Sequence, residues 1–321
     1  MKYKIFSVDS DSDLAKDIVA SNELKDDRTR DLILGRLKID KFSDGEFSPQ
    51  FLECIRDLQV FLVMSTTTPE KILQMLLTID AAKRASAKEI ILVIPYLGYS
   101  RQDRKEGSRG AIGAKLMADL FQSAGADQII TIDLHSEQIQ GFFNIPVNMI
   151  PGRVAFSKFT RQLAKDEYCV CSPDAGGVKR AMKYYSKLLH RFPDATFAML
   201  SKIRTRPNEI ERMDLIGDVS GKHVLLIDDM VDTGGTLIKA AELLKKGGAK
   251  KVTALIAHGV LSGGGHMKII ESEFLDQLVV TDSIPQHTNP KIKVVSCVHA
   301  LAAAIEAITK SNSLDRHLEQ I

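Results

Sequence analysis

The chain has 321 residues, of which 44% are hydrophobic and 26% charged, and its formal net charge is +2. That length admits one or two domains with full cores, and a balance so near neutral excludes bulk electrostatic attraction to nucleic acid or to a membrane surface. No apolar run reaches bilayer length, and the opening MKYKIFSVDSDSD sets charges where a secretory leader needs an apolar stretch, so a cytoplasmic globular protein is expected.

Taken in chain order, short apolar runs alternate with amphipathic stretches. VFLVMS (60–65) is the first buried strand. Ile72, Met75, Leu76 and Ile79 then repeat at helical spacing, with Thr68 placed to cap that helix and Pro69 suited to its first turn. EIILVIP (89–95) and QIITIDL (128–134) follow as strands. NIPVNMIPG (144–152) has two prolines and little periodicity and reads as a domain boundary. Beyond it come strands YCVCS (168–172), TFAML (196–200), HVLLID (223–228), KVTALIAH (251–258) and QLVVTD (277–282). Leu237, Ala240, Ala241 and Leu244 mark a helix stopped by Gly247-Gly248, and 298–311 form a last helix. Near-continuous β-branched runs indicate parallel strands covered on both faces, so the chain reads as α/β with more strands than one sheet takes comfortably. The expected division is 1–147, 148–300 and a C-terminal helix and tail, 301–321, packing back on the first domain. Cys169 and Cys171 alternate onto one strand face as buried thiols, with no second Cys or His pair at ligand spacing, which suits a reducing compartment.

The stretch DDMVDTGGT (228–236) places three acids beside a glycine-threonine turn, between a strand and a helix. In open parallel sheets ligands bind beyond the carboxyl ends of strands. Helix N-terminal amides next to glycines form a phosphate cradle, here Thr233, Gly234, Gly235 and Thr236, with the threonine hydroxyls as further donors. Carboxylates facing that phosphate would repel it, but a carboxylate accepts hydrogen bonds well from hydroxyls. A sugar phosphate satisfies both halves, its vicinal hydroxyls on Asp228 and Asp229 and its phosphate on the turn. A nucleoside-triphosphate loop of the GxxxxGK[ST] kind is absent.

This string resembles the phosphoribosyl-diphosphate loop shared by type I phosphoribosyltransferases and ribose-phosphate diphosphokinases. KFSDGE (41–46), PYLGYSRQDRK (95–105), TIDLHSEQIQGFF (131–143), SPDAGGVKRA (172–181) and LIGDVSGKHVLLIDDMVDTGGTL (215–237) resemble segments of the diphosphokinases in order and spacing, over roughly residues 5–312. The resemblance implies two similar phosphoribosyltransferase-like domains and a Mg²⁺-dependent transfer of the β,γ-diphosphate of ATP to the C1 hydroxyl of ribose 5-phosphate. It also implies a homo-oligomer, a hexamer built from dimers, with sites between subunits. Nucleic acid and membrane are not expected partners.

By the same resemblance, ATP is held by Arg101, Gln102 and Asp103, and by Phe42, Asp44 and Glu46 reaching in from an adjoining subunit as a purine clamp. His135, at a strand's carboxyl end with Asp133 to orient it, helps hold the Mg²⁺ on ATP. Asp174 is a hard oxygen donor for a second Mg²⁺. Asp232 joins Asp228, Asp229 and residues 233–236 in the ribose 5-phosphate loop. Lys202 and Arg204, at i and i+2 on an extended segment, are the catalytic cations that close over the reacting phosphates. No residue is assigned as general base.

The chain departs from the family's pattern in three places. Ile203 interrupts the usual Lys-Arg-Arg, KEGSRGAIGAK (105–115) is one residue short of the long-loop form, and Asp9, Asp11 and Asp13 make the first strand's exit acidic. Two alternatives to the diphosphokinase remain. A non-catalytic regulatory paralogue is disfavoured by the presence of His135, Asp174, Lys202 and Arg204. A type I phosphoribosyltransferase leaves SRQDRK, FSDGE and the second half-chain unexplained.

Overall fold

The computed structural model describes residues 2–24, 33–203, 212–286, 289–314 and 318. The chain divides into two compact units, Met1–Val154 with Ser283–Pro285 and Ser296–Ile321, and Ala155–Asp282 with Gln286–Val295.

The first unit holds strands β1 (Tyr3–Ser7), β2 (Leu37–Lys41), β3 (Phe47–Phe51), β4 (Gln59–Val63), β5 (Glu89–Val93), β6 (Gln128–Ile132) and β7 (Val147–Ile150). β1, β4, β5, β6 and β7 form one parallel sheet in that order, while β2 and β3 pair antiparallel as a separate ribbon. Every side chain of β4 is buried, as its unbroken apolar sequence requires. Its helices are α1 (Leu14–Ala20), α2 (Pro69–Arg84) and α3 (Gly113–Ala124). The Thr68 hydroxyl accepts the Lys71 amide at 3.3 Å and Pro69 opens the helix, so α2 starts where its cap residue sits. Its Ile72, Met75 and Ile79 are buried in the sheet's core with Phe6, Leu62 and Leu92. The proline-flanked stretch 144–152 carries β7, an edge strand pairing Val147–Ile150 with Ile129–Ile132. An edge tolerates prolines at strand ends because no ladder bond is lost there.

The acidic exit of β1 is resolved locally. Asp9 is buried, its carboxylate 2.6 Å from Lys71 Nζ of α2 and accepting the Asp11 amide at 3.0 Å.

Two short helices, α4 (Gly152–Ala155) and α5 (Ser157–Arg161), lead into the second unit. Its strands are β8 (Tyr168–Ser172), β9 (Thr196–Ile203), β10 (Arg212–Ile216), β11 (His223–Val231), β12 (Lys251–Gly259), β13 (Gln277–Thr281) and β14 (Ile292–Val295). They form a sheet ordered β10-β9-β8-β11-β12-β13-β14, parallel except for the antiparallel pairing of β10 with β9. Helices α6 (Val178–Leu189), α7 (Gly235–Lys246) and α8 (Gly265–Glu271) complete this unit. Leu237, Ala240, Ala241 and Leu244 are the buried face of α7, as their spacing predicts. Cys169 and Cys171 are fully buried in the same apolar core, and burial pushes both thiols up. The last helix, α9 (Val298–Thr309), packs on β7 and α1 in the first unit. Both units are thus mainly parallel sheets flanked by helices, the α/β class expected. Among the described residues no helix is long and apolar enough to cross a membrane.

Two strands run past their expected ends. β9 extends to Ile203 because β10 pairs with it, Met213 opposite Lys202. β11 extends to Val231, pairing with β12 as far as Gly259, so Asp228 and Asp229 lie on the strand itself and the loop proper is Asp232–Gly234.

Candidate functional site

The strand order of the second sheet reverses at β8. The chain goes from β8 to β9 on one side and comes back, through β10, to β11 on the other. A crevice opens beyond the carboxyl ends of strands at such a reversal, and the two loops that flank it are Ser172–Gly177 after β8 and Asp232–Gly234 after β11.

In the first loop Asp174 is half-buried, and its Oδ1 accepts the Gly177 amide at 2.9 Å. The Ser172 hydroxyl donates to the Asp174 carbonyl at 2.7 Å. A Cβ on Gly177 would lie 2.8 Å from that hydroxyl, so the glycine lets helix α6 start against the turn.

In the second loop Gly234 has φ +79°, and a Cβ there would come within 3.3 Å of Ile269 and 3.4 Å of the Gly265 carbonyl. Gly265 lies against the loop from the other side, because its Cβ would stand 2.5 Å from the Asp232 carbonyl. The Ser262 hydroxyl donates to Asp232 Oδ1. The turn is therefore clamped by the Ser262–Gly265 segment leading into α8. Gly235, in contrast, has open space where a Cβ would project, and Thr233 and Thr236 are exposed. A backbone held from behind and open in front has the form of an anion cradle at the start of α7.

The two acids of β11 differ. Asp229 is buried, whereas the Asp228 side chain keeps 29% of its surface. The Asp229 amide donates to Asp228 Oδ1 at 2.9 Å. Arg180, from the first turn of α6, donates through one guanidinium nitrogen to Asp229 at 3.1 Å and to Asp228 at 3.4 Å. Burial, then the neighbouring Asp229 carboxylate, push the Asp228 carboxyl well above the usual range, with Arg180 pulling it back. Arg180, Ser262 and Gly265 were not singled out from the sequence. The glycine run 263–265 was a usable signal, but nothing local in SPDAGGVKRA distinguishes Arg180 from the lysine beside it.

The nucleotide residues expected in the first unit fall at three places. Arg101, Gln102 and Asp103 lie beyond β5 and His135 beyond β6, at the exits of neighbouring strands. Arg101, Gln102 and His135 are exposed, and Asp103 is half-buried. Gln102 is packed onto the start of α3, its backbone carbonyl accepting the Ala114 amide at 3.1 Å and its side chain lying over Gly113, where a Cβ would be 2.5 Å away. Tyr99 (φ +62°) and Asp133 (φ +33°) hold left-handed backbone in these two loops, and such strain concentrates at functional sites. Phe42, Asp44 and Glu46 cap the separate β2–β3 ribbon. There the Phe42 amide donates to the Glu46 carbonyl at 2.8 Å and Asp44 accepts the Glu46 amide at 3.1 Å. Phe42 is 56% exposed, and an exposed aromatic residue suits stacking.

The backbone of Lys202 lies on β9, but its side chain and the whole of Arg204 fall outside the described residues. His135 and Asp174 belong to different units, and no cluster of three or more His, Cys, Asp or Glu suited to a metal occurs among the described residues.

Comparison with known proteins interprets this geometry. Residues 3–125 match the model of the N-terminal domain of ribose phosphate pyrophosphokinase, and residues 193–318 match the phosphoribosyl synthetase-associated domain. Ribose-phosphate pyrophosphokinase A of Dictyostelium discoideum is 44% identical over 301 residues, covering 92% of each chain. The chain belongs to the ribose-phosphate pyrophosphokinase family. The ribose-phosphate pyrophosphokinase of Porphyromonas gingivalis is likewise 44% identical, over 88% of this chain and 89% of its own. The crystal structure of phosphoribosylpyrophosphate synthetase from Mycobacterium smegmatis superposes with a TM-score of 0.85 at 32% identity, covering 97% of this chain and 100% of that one. The family is one of enzymes, and the chain is a transferase of the kinase type within it, as its segments led us to expect.

Proposed function

We propose that this chain transfers the β,γ-diphosphate of ATP to the C1 hydroxyl of ribose 5-phosphate, giving phosphoribosyl diphosphate and AMP. The observation that carries this reading is the turn after β11, where a paired acid couple stands directly before a clamped glycine-threonine cradle in a member of this family. The sugar's 2- and 3-hydroxyls donate to Asp228 and Asp229, and its phosphate accepts from the Thr233–Thr236 amides and hydroxyls. Asp232, tied to Ser262, fixes the turn's first residue.

The second unit supplies the sugar loop and the first supplies the nucleotide residues. Arg101 meets the triphosphate, Gln102 and Asp103 lie near the adenine, and the hairpin tip with Phe42, Asp44 and Glu46 closes over the base from another subunit. Such a contribution requires a homo-oligomer, which we assign as dimer-based and hexameric. We also place the enzyme in the cytoplasm.

In the reaction the C1 hydroxyl oxygen bonds to the β-phosphorus, and the bond from that phosphorus to the oxygen bridging to the α-phosphate breaks. AMP leaves with the bonding electrons, and the hydroxyl's proton is released to solvent. Lys202 and Arg204 offset the charge spread over the phosphoryl oxygens. Mg²⁺ fits the donors present, because it takes one or two protein ligands and completes its shell with phosphate oxygens and waters. His135 would help hold one such ion, on ATP, and Asp174 would be a donor to a second. When bound it neutralises phosphate charge and favours the ionised C1 oxygen. The protein's own part is alignment.

The test is to mix the protein with ATP, Mg²⁺ and ribose 5-phosphate. AMP and phosphoribosyl diphosphate are expected in equal amounts, and only when the sugar phosphate is present. Silence here, together with pyrophosphate release from phosphoribosyl diphosphate and a free base, would overturn the proposal in favour of a phosphoribosyltransferase.

A further inference from the structure

We propose that Arg180 is a positioning residue for the sugar, a built-in counter-ion that holds Asp228 and Asp229 side by side as acceptors for the ribose diol. The inference rests on the reading that this acid pair binds ribose 5-phosphate.

Successive residues of a strand point to opposite faces, so Asp228 and Asp229 would diverge unless something gathered them. One nitrogen of Arg180 does so, at 3.1 Å from Asp229 Oδ1 and 3.4 Å from Asp228 Oδ1. The helix that carries Arg180 follows β8, the neighbour of β11 across the sheet's reversal, so the contact spans the two sides of the crevice. The Arg180 side chain is 19% exposed and the Asp229 side chain 5%. At that depth an unpaired charge is costly, and two adjacent carboxylates repel each other. Without the cation the pair would take up a proton between them or splay apart. A protonated carboxyl has turned one acceptor into a donor, and a splayed pair no longer spans two vicinal hydroxyls. Asp228 is the more accessible of the two, so the sugar meets Asp228 first and then Asp229, the deeper acceptor and the nearer to Arg180. In this proposal Arg180 acts through the two carboxylates and not on the nucleotide. Its effect should therefore appear in sugar affinity alone.

The test uses the full-length enzyme with Arg180→Gln, Arg180→Lys and, as reference, Asp228→Asn, measuring KM for each substrate and binding of ribose 5-phosphate by calorimetry. Arg180→Gln should raise the KM and Kd for ribose 5-phosphate by about tenfold or more, the scale of a lost charge-assisted contact. The KM for ATP should stay within about twofold. Arg180→Lys, which restores the charge but not the planar fork, should recover most of the loss. Equal changes in both KM values, or no recovery with lysine, would mark Arg180 as a merely structural cation and overturn the proposal. Should Arg180→Gln not fold, the lysine variant decides, since it must keep sugar affinity near the parent's. If Asp228→Asn weakens sugar binding and Arg180→Gln does not, this inference falls and the sugar reading stands. If neither weakens it, the sugar reading itself falls.

Discussion

Lys202→Ala should lower kcat by about 10²–10³-fold, the effect of removing one preorganised group aimed at developing charge, and leave the affinity for ribose 5-phosphate within about twofold. The separation follows from the sheet. Lys202 lies on β9 and the cradle on β11, with β8 between them, so the substitution leaves the acid pair and the clamped turn alone. A cation that acts on phosphoryl oxygens only as the β-phosphorus changes partners contributes to the transition state and little to the ground state. Single-turnover AMP formation with calorimetric binding of the sugar phosphate measures both quantities. Loss of turnover and sugar affinity together would mean that Lys202 holds the ground-state sugar and is misassigned. The family's usual Lys-Arg-Arg reads Lys202-Ile203-Arg204 here. Both cations of the pair are kept, so restoring arginine at 203 should change kcat little.

The second large effect is expected at Gly234. Valine there would have to hold φ +79°, which costs a β-branched residue roughly 1–3 kcal/mol. It would also meet Ile269 and the Gly265 carbonyl at 3.3–3.4 Å. The turn can relieve this only by moving its amides. Gly234→Val should therefore weaken ribose 5-phosphate binding by about 10²-fold, the equivalent of that strain, and lower the melting temperature by roughly 2–4 °C or more. Gly235→Ala is the counterpart. Nothing lies within 4 Å of its added Cβ, so thermal stability should hold while sugar binding weakens, because the open space is the ligand's. Binding unchanged in both variants would move the phosphate to another site.

What the sequence revealed and what it hid follow from the range of the interactions. Strands such as YCVCS and the helix with Thr68 at its cap were legible because their determinants are local, unbroken apolarity in one case and a hydroxyl three residues from the amide it serves in the other. The acid-glycine-threonine string was legible because the whole recognition unit lies within nine consecutive residues. The strands of the β2–β3 ribbon were not read from the sequence, since LKIDK and FSPQF are half-exposed and lack a buried strand's composition. The extra length of β9 depends on β10, an antiparallel partner that no pattern in TFAML announces. Arg180 was missed because its partners lie 48 and 49 residues along the chain. Such pairing is visible only once β8 and β11 are neighbours. Asp9 is similar, its acidity answered by Lys71, 62 residues away.

The most direct measurement is a crystal structure of the enzyme with ribose 5-phosphate. The sugar's phosphate should rest on the amides of residues 233–236, with both ring hydroxyls within hydrogen-bond distance of Asp228 and Asp229 and the C1 hydroxyl left uncovered for attack. A sugar bound with its phosphate elsewhere, or with its diol turned away from those two carboxylates, would contradict the account.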